Sequence, residues 1–303
     1  MAAGHPAQIA RPAAPFAACP MRLEAASVAM GAGLEAPFRI GIGPSSGCAA
    51  ARWAKRLAPK SPIAIVGLAG GLDPDLAPGD LVVASEVLGP QGAIAMTGAH
   101  LISAELRRMG LAAHVGKVLS RPRPVFGRAR NQAASQASVV DMETAWALPM
   151  LGARPLVVVR AVADTGGAGP LRIAAGTMAA LDSLAKASRT LAQWAAACGP
   201  GDIVVASPEE STSLVGMATV LALGLGRNLK DEPAFPSGPV HYLAHPTDLR
   251  LGWLAGKGSV GIMAEEPTSA EVAELVAWLS WLGRQAVDGT GARGVLANTT
   301  EVS

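Results

Sequence analysis

The run Leu156-Val-Val-Val-Arg-Ala-Val162 is β-branched and apolar, with Arg160 as its one polar residue. Branched side chains favour an extended backbone. A strand that does not alternate polar and apolar residues suits the interior of a sheet covered on both faces. Two further runs fit the same frame. Ile63-Ala-Ile-Val-Gly67 is short, apolar and ends in a glycine loop, and Leu81-Val-Val-Ala84 follows the turn Ala77-Pro-Gly-Asp80. Alanine-rich stretches between the runs read as helices over Cys48–Leu57, with Ser45 or Ser46 as cap, Asp141–Leu151 and Thr177–Ala197. Strands alternating with helices predict an α/β fold, a three-layer α/β/α domain.

A break at Cys198-Gly-Pro-Gly-Asp202 opens a second, smaller α/β unit. Its expected elements are a strand at Ile203–Ala206, a helix at Leu214–Leu225, a Pro/Gly-rich loop over 231–239, strands near Val240–Ala244 and Ser259–Met263, and a helix at Ser269–Leu282. The expected division is a flexible leader over 1–20, a domain over 21–198, a small α/β domain over 199–285 and a flexible tail over 286–303. The leader carries prolines at 6, 12, 15 and 20, which interrupt any signal-peptide core.

Half of the 303 residues are hydrophobic and the formal net charge is +2, which excludes a disordered chain and gives no footprint for nucleic acid or an anionic membrane. The longest near-apolar stretch, Leu214–Gly226, is too short to span a bilayer, so a cytoplasmic protein is expected. Three scattered cysteines without a CxxC pair, and histidines without an HExxH, point to no metal site and no cofactor.

Two carboxylates stand where chemistry is plausible. Asp164 ends the strongest strand and precedes Thr-Gly-Gly, well placed to reach a pocket or, equally, to cap the next turn. Glu143 follows Val139-Val-Asp-Met142 where a strand gives way to a helix. There it can accept two ribose hydroxyls or simply complement the helix dipole. Gly67-Leu-Ala-Gly-Gly-Leu-Asp-Pro74 and Gly41–Gly47 let the backbone approach a ligand, or are tight turns.

Jointly, GLAGGLDPDLAPGDLVVASEV, VVDMETA and VVVRAVADTGG, in this order, resemble the nucleoside phosphorylase and methylthioadenosine/S-adenosylhomocysteine nucleosidase superfamily over roughly residues 21–197. The resemblance implies a phosphorylase-like domain with a central mixed sheet that cleaves the N-glycosidic bond of a purine nucleoside. It implies that Asp164 protonates the purine at N7. Glu143 would bind the 2′- and 3′-hydroxyls with Met142 beneath the sugar, and Gly70 and Gly71 would line the floor. Arg22-Leu-Glu24-Ala25 is similar to a shortened first-strand motif whose glutamate positions the attacking water; a surface glutamate is the plain alternative. Phe126 is the candidate base-stacking residue, with a core phenylalanine as its alternative. A homo-oligomer is also implied.

The chain departs from the pattern at Leu68, where relatives often carry serine. It also lacks an arginine in the glycine loop to hold phosphate. That favours hydrolysis, with phosphate kept as a possible co-substrate and Arg123, Arg128 or Arg130 as loop-borne anion contacts. Within the superfamily the chain looks most like hopanoid-associated phosphorylases, which implies a lipid-linked substrate such as adenosylhopane. Alternatives are a methylthioadenosine/S-adenosylhomocysteine-type nucleosidase and a catalytically impaired nucleoside-binding or scaffold protein. Residues 202–282, through DIVVASPEESTS, VHYLAHPTDLRLGWL and EEPTSAEVAELV, resemble the last third of 4-hydroxy-3-methylbut-2-enyl diphosphate reductase. No cysteine follows Cys198 to hold an iron–sulfur cluster, so a packing or dimerisation role is expected there.

Overall fold

The computed structural model describes residues 16–31, 35–166, 170–225 and 238–287. The apolar run becomes the strand β8 (Leu156–Asp164), and its residues are buried on both faces. In chain order it is preceded by β1 (Phe16–Cys19), α1 (Arg22–Met30), β2 (Glu35–Arg39), α2 (Ser45–Ala54), β3 (Ile63–Gly71), β4 (Leu81–Gly89), β5 (Gly92–Ala95), α3 (Ala99–Arg108), β6 (Ala113–Ser120), α4 (Gly127–Ala134), β7 (Val139–Asp141) and α5 (Thr144–Ala147). The long helix α6 (Pro170–Ala197) follows.

β8 lies parallel to β3 and antiparallel to β4. β4 pairs with β6, β6 with β7, and β7 with β3. These five strands therefore close a ring within an eight-stranded mixed sheet, and β1, β2 and β5 extend it. Alternate residues of the central strands feed two cores. Ala64, Val66, Val157 and Val159 pack with Leu184, Leu191 and Trp194 of α6. Ile63, Ile65, Val158 and Val162 pack with Ala50 and Trp53 of α2 and Ala145 and Ala147 of α5. A strand buried twice over has no polar face, which explains its continuous apolar sequence.

The second unit is a five-stranded all-parallel sheet in the order β11-β10-β12-β9-β13, where β9 is Asp202–Ala206, β10 Thr219–Leu223, β11 Val240–Leu243, β12 Ser259–Ala264 and β13 Gln285–Ala286. The helices α7 (Leu251–Leu254) and α8 (Ala270–Trp281) complete it. Its core is continuous with that of α6: Trp194 and Leu191 share one cluster with Ile203, Leu254 and Leu279. The Trp281 indole donates to Leu156 O at 3.1 Å. Its ring fills the space beside Gly98, whose φ of +80° and lack of a Cβ both suit this contact. Glu105 on α3 accepts from Leu251 N at 2.7 Å. No helix among the described residues is long and apolar enough to cross a membrane.

Several sequence expectations are corrected. The leader does not extend to residue 20, because Phe16–Cys19 is a strand paired on both sides, with β2 and β3; residues 1–15 lie outside the described residues, as do 288–303 of the expected tail. The helix expected over Leu214–Leu225 is instead a 3₁₀ turn, Pro208–Leu214, and then β10. Gly216 adopts φ +87°, which stops the turn, and the fully buried run Thr219–Leu223 is one whose period cannot separate strand from helix. Most of the 231–239 loop falls outside the described residues. Of the expected loop Gly67–Pro74, residues 67–71 are instead the second half of β3, and only 72–74 lie beyond the strand. Ser45 and Ser46 lie inside α2, whose N-cap is Pro44. Ser46 Oγ instead donates to Glu143 O at 3.1 Å and ties α2 to the candidate site.

Candidate active site

A fully buried arginine organises the site. Arg160 sits in mid-β8 with no accessible surface, and burying a lone guanidinium is prohibitive without partners. It has them. Its Nη2 lies 2.7 Å from Asp141 Oδ2 and 2.8 Å from Glu143 Oε1, and donates to Thr144 Oγ1 as well. Nε and Nη1 are buried without a hydrogen-bond partner in the protein. A Cβ on Gly67 would collide with Arg160 Nη1 and approach Glu24 Oε1 to 2.9 Å, so glycine in mid-strand is what lets these two side chains meet.

Asp141 is the structural member of the cluster. Its Oδ1 accepts from Ser120 Oγ at 2.5 Å, Glu143 N at 3.3 Å and Thr144 N at 3.4 Å, which fixes the turn that presents Glu143. Glu143 is 4 % exposed, and Met142 N donates to its Oε2 at 3.2 Å. Met142 itself is half-buried. Glu24 is buried on α1, not on the first strand, so both the first-strand and the surface reading are corrected. Met21 N donates to its Oε2 at 2.6 Å and Leu68 N to its Oε1 at 2.7 Å. Each carboxylate oxygen keeps one lone pair beyond these bonds. The Leu68 side chain packs against the core shared by α1 and α6.

Three carboxylates around one guanidinium shape the proton inventory. Burial pushes Glu143 up to about 8, since Arg160 is shared with Asp141 and the neighbouring acids repel its charge. Burial also raises Glu24, against its backbone donors and Arg160. Burial opposes the Arg160 charge, but Asp141, Glu143 and Glu24 together hold its pKa above the ordinary value. The folded protein thus keeps a proton on Glu143 that the unfolded chain, at 4.5, surrenders. That contribution to stability is complete below about pH 4.5 and is lost as pH rises through about 8. The melting temperature of the unliganded protein is expected to fall between those values, and Glu143→Gln is expected to flatten the fall. Thermal denaturation across the range checks it; an unchanged slope in the variant contradicts it.

Asp164 closes β8, past a bulge at Ala163. The register sets Asp164, Gly70 and Val140 side by side across three strands, with Asp141 next along β7. Arg160 and Asp164 are separated by roughly 13 Å of strand. Asp164 Oδ1 accepts from Gly166 N at 3.0 Å and pairs with Arg130 Nη2 at 3.1 Å. Arg130, on α4, also donates to Gly71 O at 2.5 Å, and its Nη1 lies 3.4 Å from where a Gly70 Cβ would be. Gly70 therefore faces Arg130, while Gly71 gives that arginine its carbonyl and faces Val162. Of the three arginines expected to serve from a loop, Arg130 reaches the site, and it does so from a helix. Phe126 is 76 % exposed at the N-cap of α4, one turn before Arg130, so the core reading is corrected.

Arg160 joins the site although no expected role attaches to it in the sequence. The signal was present: a lone charge inside an otherwise apolar strand must be paired.

The Phosphorylase superfamily model matches residues 33–198, more than half of the chain. Solved structures share the fold at low identity. A futalosine hydrolase mutant of Helicobacter pylori is 17 % identical with a TM-score of 0.51, over 58 % of this chain and 97 % of that one. The 5′-methylthioadenosine/S-adenosylhomocysteine nucleosidase of Neisseria meningitidis, in complex with methylthio-immucillin-A, is 20 % identical with a TM-score of 0.51, over 58 % and 97 %. A putative nucleosidase of the same kind from Francisella philomiragia is 19 % identical with a TM-score of 0.51, over 59 % and 98 %. No curated protein matches the chain. The extent of the family match places the conclusion beyond the fold alone: the chain belongs to the phosphorylase superfamily.

Proposed function

We propose that the chain cleaves the N-glycosidic bond of a purine nucleoside, releasing adenine from a 5′-substituted adenosine. The observation that carries this reading is the gathering of Glu24, Asp141 and Glu143 about Arg160, with Asp164 at the end of the same strand. Cleavage needs an acid for the leaving base, a carboxylate on the ribose and a seat for the nucleophile. Asp164 is the acid toward purine N7. Arg130 and Gly166 N both contact Oδ1, which leaves Oδ2 as the oxygen to meet a base. Glu143 takes the 2′- and 3′-hydroxyls over Met142, and two hydroxyl donors favour its ionised form. Nucleoside binding near pH 7 is therefore accompanied by proton release.

Water as the nucleophile is supported by Glu24. Its remaining lone pairs lie near the unpartnered Nη1 of Arg160, and together they offer an acceptor and a donor to one small oxygen nucleophile. Phosphate as co-substrate is the competing arm of the same reading. An apolar 5′ substituent, as in adenosylhopane, is supported by exposed Leu171 and Phe126 on the segments that flank Asp164 and Arg130. The small-substrate alternative is a methylthioadenosine/S-adenosylhomocysteine-type nucleosidase.

The homo-oligomer belongs to this proposal too. Leu23 and Met30 of α1 and Met178 of α6 are exposed apolar side chains on two helices that pack together, and sedimentation showing only monomer removes it. For the second unit the proposal is a packing role against α3 and α6.

The test is chromatographic release of free adenine from 5′-methylthioadenosine and from 5′-alkyl adenosines of increasing chain length, with and without phosphate. Release without phosphate, faster with longer chains, is expected. A requirement for phosphate makes the enzyme a phosphorylase. Loss of release with chain length leaves the small-substrate nucleosidase, and no release from any of them leaves a nucleoside-binding protein.

A further inference from the structure

We propose that the cleft between the two units is a second binding site, for an amphiphilic anion: a short apolar body carrying one phosphate-like head. The cleft encloses about 900 Å³, within the roughly 300–1,000 Å³ of small-molecule sites. One wall is made by residues 58–62 and 153–155, which lead into the N-terminal ends of β3 and β8. Asp164 lies at the other end of β8, so this cleft and the candidate active site are separate. The opposite wall comes from the end of α6 with the following link, residues 196–200, and from segments 254–258 and 280–285.

Charge gives the cleft its chemistry. Lys60, Arg154, Lys257 and Arg284 line it, and no aspartate or glutamate does. Among the described residues, none of these four cations forms an ion pair. Arg284 is the anchor. It is 3 % exposed and donates to Ala197 O at 2.9 Å, Leu254 O at 3.2 Å and Lys257 O at 2.8 Å, so main-chain carbonyls hold its geometry while no carboxylate balances its charge. Its Nε, like that of Arg154, is buried without a hydrogen-bond partner. The nearby Cys198 thiol does not neutralise it, because burial keeps that thiol protonated. A buried cation without a counter-charge is costly, and an anion entering beside it relieves that cost. Burial accordingly lowers the pKa of both Arg284 and Arg154.

Ser280 and Gln285 aside, the part of the lining open to solvent is apolar: Ala58, Ala153, Ala196, Pro200 and Trp281 surround the cations. Inorganic phosphate would leave these side chains uncovered, and a neutral alcohol would leave the charges unpaired. An alkyl phosphate satisfies both. Such a ligand touches both units, so its binding stabilises their junction by mass action.

The experiment is isothermal titration of the full chain with octyl phosphate, 1-octanol and inorganic phosphate. It is repeated on a Lys60→Ala/Lys257→Ala variant, whose lysines hold no ion pair. Octyl phosphate is expected to bind once per chain, at least about ten-fold more tightly than either fragment. It is also expected to bind equally well with methylthio-immucillin-A present, and about ten-fold more weakly to the variant at unchanged melting temperature. Equal binding of octanol, equal binding of inorganic phosphate, binding unaltered in the variant, competition by the nucleoside analogue, or no saturable binding would each overturn the proposal.

Discussion

Asp164→Asn is expected to lower the rate of adenine release by roughly 10²–10⁴-fold, the range for loss of a positioned general acid. Asparagine preserves the size of the side chain and can still accept from Gly166 N, the bond that holds the turn after β8. It loses the ion pair to Arg130 and the proton that a leaving purine needs. Substrate affinity should change far less than turnover, because the proton is required in the transition state. Steady-state rates for wild type and variant decide the matter. A variant within a few-fold of wild type would remove Asp164 from the chemistry and leave it as a turn residue.

Arg160→Met is expected to destabilise the fold by roughly 3–5 kcal/mol, the usual cost of removing one partner from a buried charge cluster. For a chain of this size that corresponds to a melting point lower by about 5–8 °C. Methionine fills much of the volume, so the loss is electrostatic: Asp141 and Glu143 lose the guanidinium they share, and Glu24 loses its nearest cation. Adding Asp141→Asn and Glu143→Gln to Arg160→Met should restore part of the loss, since Asp141 then strands no charge and Glu143 keeps the neutral form that burial already favours. Calorimetry on the single and triple variants measures both. A single variant as stable as wild type would mean that the cluster exchanges with water far more than its burial indicates.

The central strands were legible because burial on both faces leaves an unmistakable sequence, Leu156–Val162 above all. The placing of Asp164 at the end of β8 and of Glu143 just past β7 is legible in the same way, because the apolar runs stop there. What local sequence does not carry is pairing. Nothing near Gly67 announces that it must lie bare to admit Arg160 and Glu24 from elsewhere in the chain. The glycines at 70 and 71 looked like a loop because glycine is read as a breaker, whereas here they are strand residues against Arg130 and Val162. Glu24 looked like part of a strand, but its helix is set by the capping role of its own carboxylate toward Met21 N. The second unit misled at Leu214–Leu225 for the opposite reason: a wholly buried strand and a wholly buried helix have the same composition. The closed ring of strands, finally, depends on β8 pairing with β4 and β3 at once, a tertiary fact without a local signature.

The account stands or falls on whether Glu24, Glu143 and Asp164 serve one nucleoside. The most direct measurement is a crystal structure of the chain with methylthio-immucillin-A, the analogue bound by the Neisseria meningitidis nucleosidase. The predicted result is the sugar hydroxyls on Glu143 and the base nitrogen at hydrogen-bond distance from Asp164. An analogue seated elsewhere, or one whose base lies away from Asp164, would contradict it.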